Sequence, residues 1–404
     1  MMGAAISQAR PIGSRGVRIP RVDHWLLFSA ATLAMLGLVM VTSASITLAD
    51  RELGQPLYYA IRQAIYILVG ALGGVALFRL RLVLLERMGM TLLLLSLLLL
   101  LLVLVPGIGV EVNGATRWIN IGLFRLQVSE PAKLLFIVYL ASYLARHGEE
   151  VRTRVTGFVK PVGLFMVAAL LLLLEPDFGA TVVLAATVMS MIFMAGVRLV
   201  QFGGVLGVGA LLLGSLAVSS PYRMQRLTTF LDPWADPFNS GFQLTQSLIA
   251  IGRGEWFGVG LGASIQKLFY LPEAHTDFVF AVWAEEMGLL GVSVIIMLYA
   301  TLVWRAFVIA SQAIGADNLF AAYLSYGIGI WFGLQSFINI GVNMGLLPTK
   351  GLTLPLMSYG GSSMVVMCAA VALLLRIDHE TRCTAAGLSA SGSAAAKRRR
   401  RQDV

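Results

Sequence analysis

The chain has 404 residues, 58% hydrophobic and 13% charged, with a mean hydropathy of +0.82. Soluble domains average about 25% charged residues, so the composition excludes an ordinary soluble domain and implies a polytopic membrane protein. The net charge of +9 collects at the ends, in Arg10, Arg15, Arg18 and Arg21 before Asp23 and in Lys397 to Arg401 before Asp403. Both clusters flank apolar segments, so they read as cytoplasmic tails held to anionic membrane lipids and not as a nucleic-acid surface.

A helix needs about 20 apolar residues to span a bilayer. In chain order such runs fall at 24–46, 58–78, 88–106, 129–146, 158–175, 177–197, 199–218, 277–304, 319–345 and 353–376. The expected fold is therefore all-α, a polytopic membrane protein with ten transmembrane helices in one membrane domain, 24–377. An Arg-rich tail (1–23) precedes it, and a basic tail (378–404) with a small-residue, disordered linker at 384–396 follows. A large loop, 219–276, separates helices seven and eight. Basic residues follow the even-numbered helices, as at Arg79, Arg81, Arg87, Arg146, Arg152, Arg154, Arg198 and Arg305. The positive-inside rule then places both termini in the cytoplasm and the loops 107–128, 219–276 and 346–352 outside. Gly203/Gly207 and Gly329/Gly333, at GxxxG spacing, are expected to pack helices closely.

The two cysteines, Cys368 and Cys383, form no CxxC spacing, and the four histidines do not cluster as metal ligands. The chemistry therefore has to come from other residues. Carboxylates at or inside a membrane segment are costly and mark sites. Asp277 follows Leu271-Pro-Glu-Ala-His-Thr at the start of the eighth run, and Glu285-Glu286 lies about 12 Å further along the helix. Asp277 reads either as a first-turn cap or as a general base whose partial burial raises its pKa. The glutamate pair reads as bonded to neighbouring segments or as the floor of a cavity.

A second cluster runs from Asn113 to Lys133 through Arg117, Arg125, Ser129 and Glu130. Glu130 and Lys133 share a helix face, so they either neutralise each other or, with Arg125, offer positive charge to phosphate oxygens. The third cluster, Leu347 to Ser363, is dense in Gly, Ser and Pro around Lys350 and Ser362. Non-helical backbone at membrane depth is tolerated where it lines a cavity. The 219–276 loop adds Arg223, Arg226, Arg253 and Lys267. Its run Gly252 to Gly262 lacks the βαβ context of a nucleotide loop. No Asp-x-Asp, GxSxG or HExxH occurs.

Together these three stretches resemble the SEDS family (shape, elongation, division and sporulation) of membrane peptidoglycan polymerases, over about residues 24–382. Gln266-Lys-Leu-Phe-Tyr-Leu-Pro-Glu-Ala-His-Thr-Asp277, Pro348-Thr-Lys-Gly-Leu-Thr-Leu-Pro-Leu-Met-Ser-Tyr-Gly-Gly-Ser-Ser363 and Leu375-Arg-Ile-Asp-His-Glu-Thr-Arg382 are similar to the division branch more than to the elongation branch. Glu175-Pro-Asp177 departs from the Gln-Pro-Asp of many relatives. The resemblance implies a ten-helix, GT-C-like fold and glycosyl transfer between lipid II molecules, with undecaprenyl pyrophosphate leaving.

It implies Asp277 as the essential carboxylate and Arg125, Glu130 and Lys133 as sensitive positions. Arg223, Lys267, Lys350 and Ser362 complete the expected substrate contacts. A class B penicillin-binding transpeptidase, other divisome membrane proteins and a septal place in the bacterial inner membrane are implied partners and location. A divalent cation, magnesium or manganese, could assist the pyrophosphate, but no ligand set is legible. The competing reading is a lipid II flippase, which should carry inverted repeats and midplane charges; a non-catalytic scaffold for the transpeptidase is a third.

Overall fold

The computed structural model describes residues 22–112, 114–122, 124–218, 229–268, 270–348 and 351–386. Its helices are α1 (His24–Leu53), α2 (Tyr58–Phe78), α3 (Leu82–Arg87), α4 (Gly89–Val103), α5 (Ser129–Thr153), α6 (Val155–Leu174), α7 (Phe178–Met194) and α8 (Leu199–Val218). Then come α9 (Phe242–Gly254), α10 (Val279–Gly315), α11 (Leu319–Asn343) and α12 (Gly361–Ala385). Among the described residues α1, α2, α6, α10 and α12 are long and apolar enough to cross a membrane.

The helix ends follow from local chemistry. Asp23 caps α1 by accepting the Leu26 N–H at 2.9 Å, and Asn318 caps α11 by accepting that of Ala321 at 3.1 Å. Asp23 also receives Arg305 of α10 and lies 3.6 Å from Arg382 of α12, so one buried carboxylate ties three helices together. Leucines on α2 and α4 such as Leu68, Leu72 and Leu94 are well exposed, as lipid-facing positions must be.

Four features depart from the expected all-α pattern of ten plain helices. First, the 107–128 loop is a three-stranded antiparallel sheet, β1 (Gly109–Val112), β2 (Ala115–Ile121) and β3 (Phe124–Gln127), in that order. Trp118 of β2 faces Val110 on one side and Gln127 on the other. Second, the 219–276 loop contains an amphipathic helix, α9, packed against α10. Third, α12 begins at Gly361 instead of 353.

The residues before α12 are non-helical, and their carbonyls are taken by side chains from three helices. Gln63 donates to Ser358 O (3.2 Å), Tyr299 to Pro355 O (2.5 Å), Gln335 to Thr353 O (3.0 Å) and Asn339 to Leu352 O (2.5 Å). A buried irregular segment is stable only when its polar backbone is satisfied in this way.

Fourth, α10 breaks at Gly288, which has φ 62° and ψ −164°. Leu289 and Leu290 would normally donate to the carbonyls of Glu285 and Glu286. They donate instead to Glu255 O (2.9 Å) and Trp256 O (3.2 Å), while Val259 and Gly260 donate to Glu285 O (3.0 Å) and Glu286 O (3.1 Å). The non-helical strap 255–260 is thus spliced into the helix. The approach leaves no room for side chains: a methyl group on Gly258 would sit 2.1 Å from Glu286 O, and one on Gly288 2.4 Å from Gly258 N. This is the work of the Gly-rich run that resembles a nucleotide loop.

The two GxxxG pairs differ. A methyl group on Gly329 would lie 2.8 Å from Ala306 Cβ, as close packing requires. One on Gly203 or Gly207 would meet no atom within 4 Å, so the expected packing of α8 through these residues is absent among the described residues.

Candidate active site

The sheet, the start of α2, the α6–α7 turn, the 273–277 turn and the segment before α12 enclose a cavity of about 900 Å³. Asp277 stands on its wall, two residues before α10 begins. Its carbonyl is fixed by the side-chain amides of Asn339 (3.0 Å) and Asn343 (3.1 Å) of α11, and Asn343 Oδ1 accepts the Ala281 N–H at 3.2 Å. The cap position of α10 belongs to Phe278, without a side-chain bond. The Asp277 carboxylate therefore does not cap the helix. It is half-buried, faces the cavity and takes no hydrogen bond from a described residue. Burial, followed by nearby Glu273, pushes its pKa up to about 7; Arg117 opposes the rise and Asp177 adds to it.

The predicted cationic contacts divide sharply. Arg125, on β3, is exposed and lines the cavity. Lys133 is 1% exposed and fully engaged: its Nζ donates to Glu130 (2.9 Å) and Gln335 (3.0 Å) and sits 5.2 Å from the Trp331 ring. Lys267 donates to Glu286 (3.0 Å), Ser43 (3.0 Å) and Gly262 O (2.7 Å), away from the cavity wall. Glu130 itself reaches the cavity. The Ser362 hydroxyl accepts the Gln127 N–H at 2.8 Å and donates to Arg125 O at 3.1 Å, so it clasps β3 and is not a lining group. Arg223 and Lys350 lie outside the described residues.

Several lining residues have no role assigned from the sequence. Arg62, one turn into α2, sits 4.5 Å from the Tyr58 ring; a lone arginine in an apolar helix is the signal that marks it. Arg117 donates to Glu175 O at 3.2 Å and to Pro176 O, bracing the turn that carries Asp177 into the cavity. Asp177 Oδ1 in turn caps α7 at Ala180. Behind it Glu175 is wholly buried, with both carboxyl oxygens unpartnered among the described residues. Burial, then Asp177, pushes its pKa up to about 9 against the pull of Arg117, so it is neutral at pH 7.

Tyr59, His275 and Tyr359 complete the wall. Burial holds the His275 imidazole below its ordinary pKa, against Glu273 and Glu52. No group of three or more His, Cys, Asp or Glu side chains is placed to hold a metal ion among the described residues, so those residues do not fit a protein-held divalent cation.

Glu285 and Glu286 are completely buried. Glu285 accepts from Arg253 (3.0 Å), Ser264, Ile265 N (3.1 Å) and Gln266 N (3.4 Å); Glu286 accepts from Ser43 (2.9 Å) and Lys267. They staple the 253–267 segment to α10 and α1.

Apolar helices closed around a charged cavity define a multi-pass membrane protein with an internal polar site. The family model described as "Cell cycle protein" (FTSW_RODA_SPOVE) matches residues 24–383, and the chain belongs to that family. It is 61% identical, over 89% of its length and 90% of the relative's, to a protein of Thioalkalivibrio sulfidiphilus named "Probable peptidoglycan glycosyltransferase FtsW". A protein of the same name from Nitrosococcus halophilus is 59% identical over 91% and 95% of the two chains.

Among solved structures, a chain of a peptidoglycan synthase complex studied for coordination of polymerization and crosslinking superposes with TM-score 0.72. It shares 32% identity over 89% of this chain and 98% of its own. The rod shape determining protein RodA of Thermus thermophilus follows with TM-score 0.66, 30% identity and coverage of 89% and 97%.

Proposed function

We propose that this chain is a peptidoglycan glycosyltransferase that polymerises lipid II for the division septum, with Asp277 as general base. The observation that carries the reading is a carboxylate that takes no hydrogen bond among the described residues, with its pKa raised to about 7, in a cavity it shares with Arg62, Arg117 and Arg125. Asp277 takes the proton of the acceptor sugar's 4-hydroxyl. That oxygen attacks C1 of the donor sugar from the face opposite the pyrophosphate. The C1–O bond to pyrophosphate breaks with its electron pair, so undecaprenyl pyrophosphate leaves with inversion. A diphosphate is a good leaving group, and arginines on the cavity wall suit its charge by fork-like hydrogen bonding. Lys133 and Lys267, already held by carboxylates, fit this task less well than Arg62 and Arg125.

In this reading α1, α2, α4–α8 and α10–α12 are the ten spans, both termini are cytoplasmic, and the cavity opens on the outer face. Relatives of the same name and a structural neighbour from a synthase complex support the activity and a transpeptidase partner of the penicillin-binding class.

The test is polymerisation of labelled lipid II by the purified full chain, wild type against Asp277→Asn. Loss of polymer with intact lipid II binding is expected. Unchanged polymer from the variant overturns the role of Asp277, and translocation of lipid II without polymer by the wild type would favour a flippase.

A further inference from the structure

Three segments remote in sequence bring aromatic rings to one corner of the cavity. Tyr59 comes from the first turn of α2, His275 from the turn before α10 and Tyr359 from the segment before α12. The Tyr59 ring centroid lies 4.8 Å from that of His275 and 5.1 Å from that of Tyr359, and the latter two are 5.6 Å apart. The interplanar angles of 47°, 89° and 49° make the rings a corner and not a parallel pile. The Tyr359 N–H donates to His275 O at 3.0 Å, so two of the three segments are locked to each other by backbone.

Packing alone does not account for this corner. Rings that merely fill a core are buried, whereas Tyr59 and Tyr359 are half-buried and line the cavity. The corner also shares its foundation with the reacting carboxylate, because His275 and Asp277 belong to the same turn.

The geometry points to a pyranose subsite: Tyr59, His275 and Tyr359 form the surface against which the acceptor sugar of Asp277 packs. The inference rests on the reading of Asp277 as the base. An aromatic ring has a negative face, and the C–H groups on one side of a pyranose carry the weak positive charge that suits it. Tyrosine and histidine also keep a polar tip beside the apolar body, which matches a sugar whose hydroxyls ring an apolar side. A polyprenyl chain needs apolar walls, and this corner is bordered by Arg62 and Glu273. A free cation is disfavoured by that same Arg62.

The experiment measures equilibrium binding to the purified full chain carrying Asp277→Asn, so that no turnover occurs. Two probes are compared, lipid II and undecaprenyl pyrophosphate, which lacks the sugars. Adding Tyr59→Leu should weaken lipid II binding about tenfold, equivalent to ~1.4 kcal/mol, and leave undecaprenyl pyrophosphate binding unchanged. Tyr59→Phe, which keeps the ring, should recover most of that affinity. Equal loss for both probes, no loss for lipid II, or a Phe variant as weak as the Leu variant would each overturn the subsite.

The melting temperature in detergent reports separately that the variant is folded. The same substitutions in the active chain should raise KM for lipid II more than they lower kcat. An active Asp277→Asn chain would remove the base while the two-probe comparison still decides the sugar surface.

Discussion

Two groups of carboxylates sit fewer than ten residues apart around the start of α10, and their environments are opposite. Glu285 and Glu286 are completely buried, and each is met by a cation and by hydroxyl or amide donors. Asp277 faces a cavity with a backbone held by two asparagines and a carboxylate held by nothing described. A buried charge that is paired cannot lose its partner without a large penalty. One that is positioned but unpaired keeps its proton affinity for chemistry. The contrast separates scaffold from site within a single helix start.

The largest effect expected is on turnover. Asp277→Asn should lower lipid II polymerisation between about 100- and 10,000-fold, the range supplied by a general base, with thermal stability maintained. Glu286→Ala should do the reverse. It leaves Lys267 buried beside an empty partner position, a loss of about 3–5 kcal/mol, visible as a lower melting temperature in detergent. Replacing Lys267 together with Glu286 by apolar residues should recover much of it.

The pH dependence sharpens the same comparison. With its pKa raised to about 7, Asp277 is protonated and inactive as a base below that value. Activity should therefore rise roughly tenfold per pH unit up to about pH 7 and then level off. Its contribution to stability runs the other way. The folded state holds a proton that the unfolded chain, at the ordinary value of 3.8, has released, so stability falls as pH rises from about 4 through 7. Asp277→Asn should remove both slopes in a pH series of melts and rates. Smallest of all is the effect of Glu175→Gln. A carboxyl with a pKa of about 9 is already neutral at pH 7, so the change should stay within about 0.5 kcal/mol and leave activity near wild type.

Much of the helical frame is legible because lipid demands long apolar runs. The expected spans 58–78 and 199–218 coincide with α2 and α8, and 319–345 ends within two residues of α11. That Asp277 stands on a cavity wall was legible for the related reason that a carboxylate at the membrane boundary is expensive. The sheet was not, although Asn113-Gly114 is a strong hairpin dipeptide, because it lies in a short polar link between helices. Pairing was legible only where it is local. Glu130 and Lys133 are three residues apart, whereas Lys267 finds Glu286 and Ser43 through the fold. The aromatic corner needed coordinates, since Tyr59, His275 and Tyr359 converge from distant parts of the chain.

The splice at Gly288 has a mechanical meaning. The helical piece from Val279 to Met287 is hydrogen-bonded at its far end to strap residues Val259 and Gly260, while the rest of α10 hangs from Glu255 and Trp256. Tension on that strap is therefore delivered straight to the lever that begins beside Asp277, with no slack helix turn to absorb it. The strap and the start of α10 thus share one hydrogen-bonded frame, so the strap cannot shift without breaking bonds to the helical piece that begins beside Asp277.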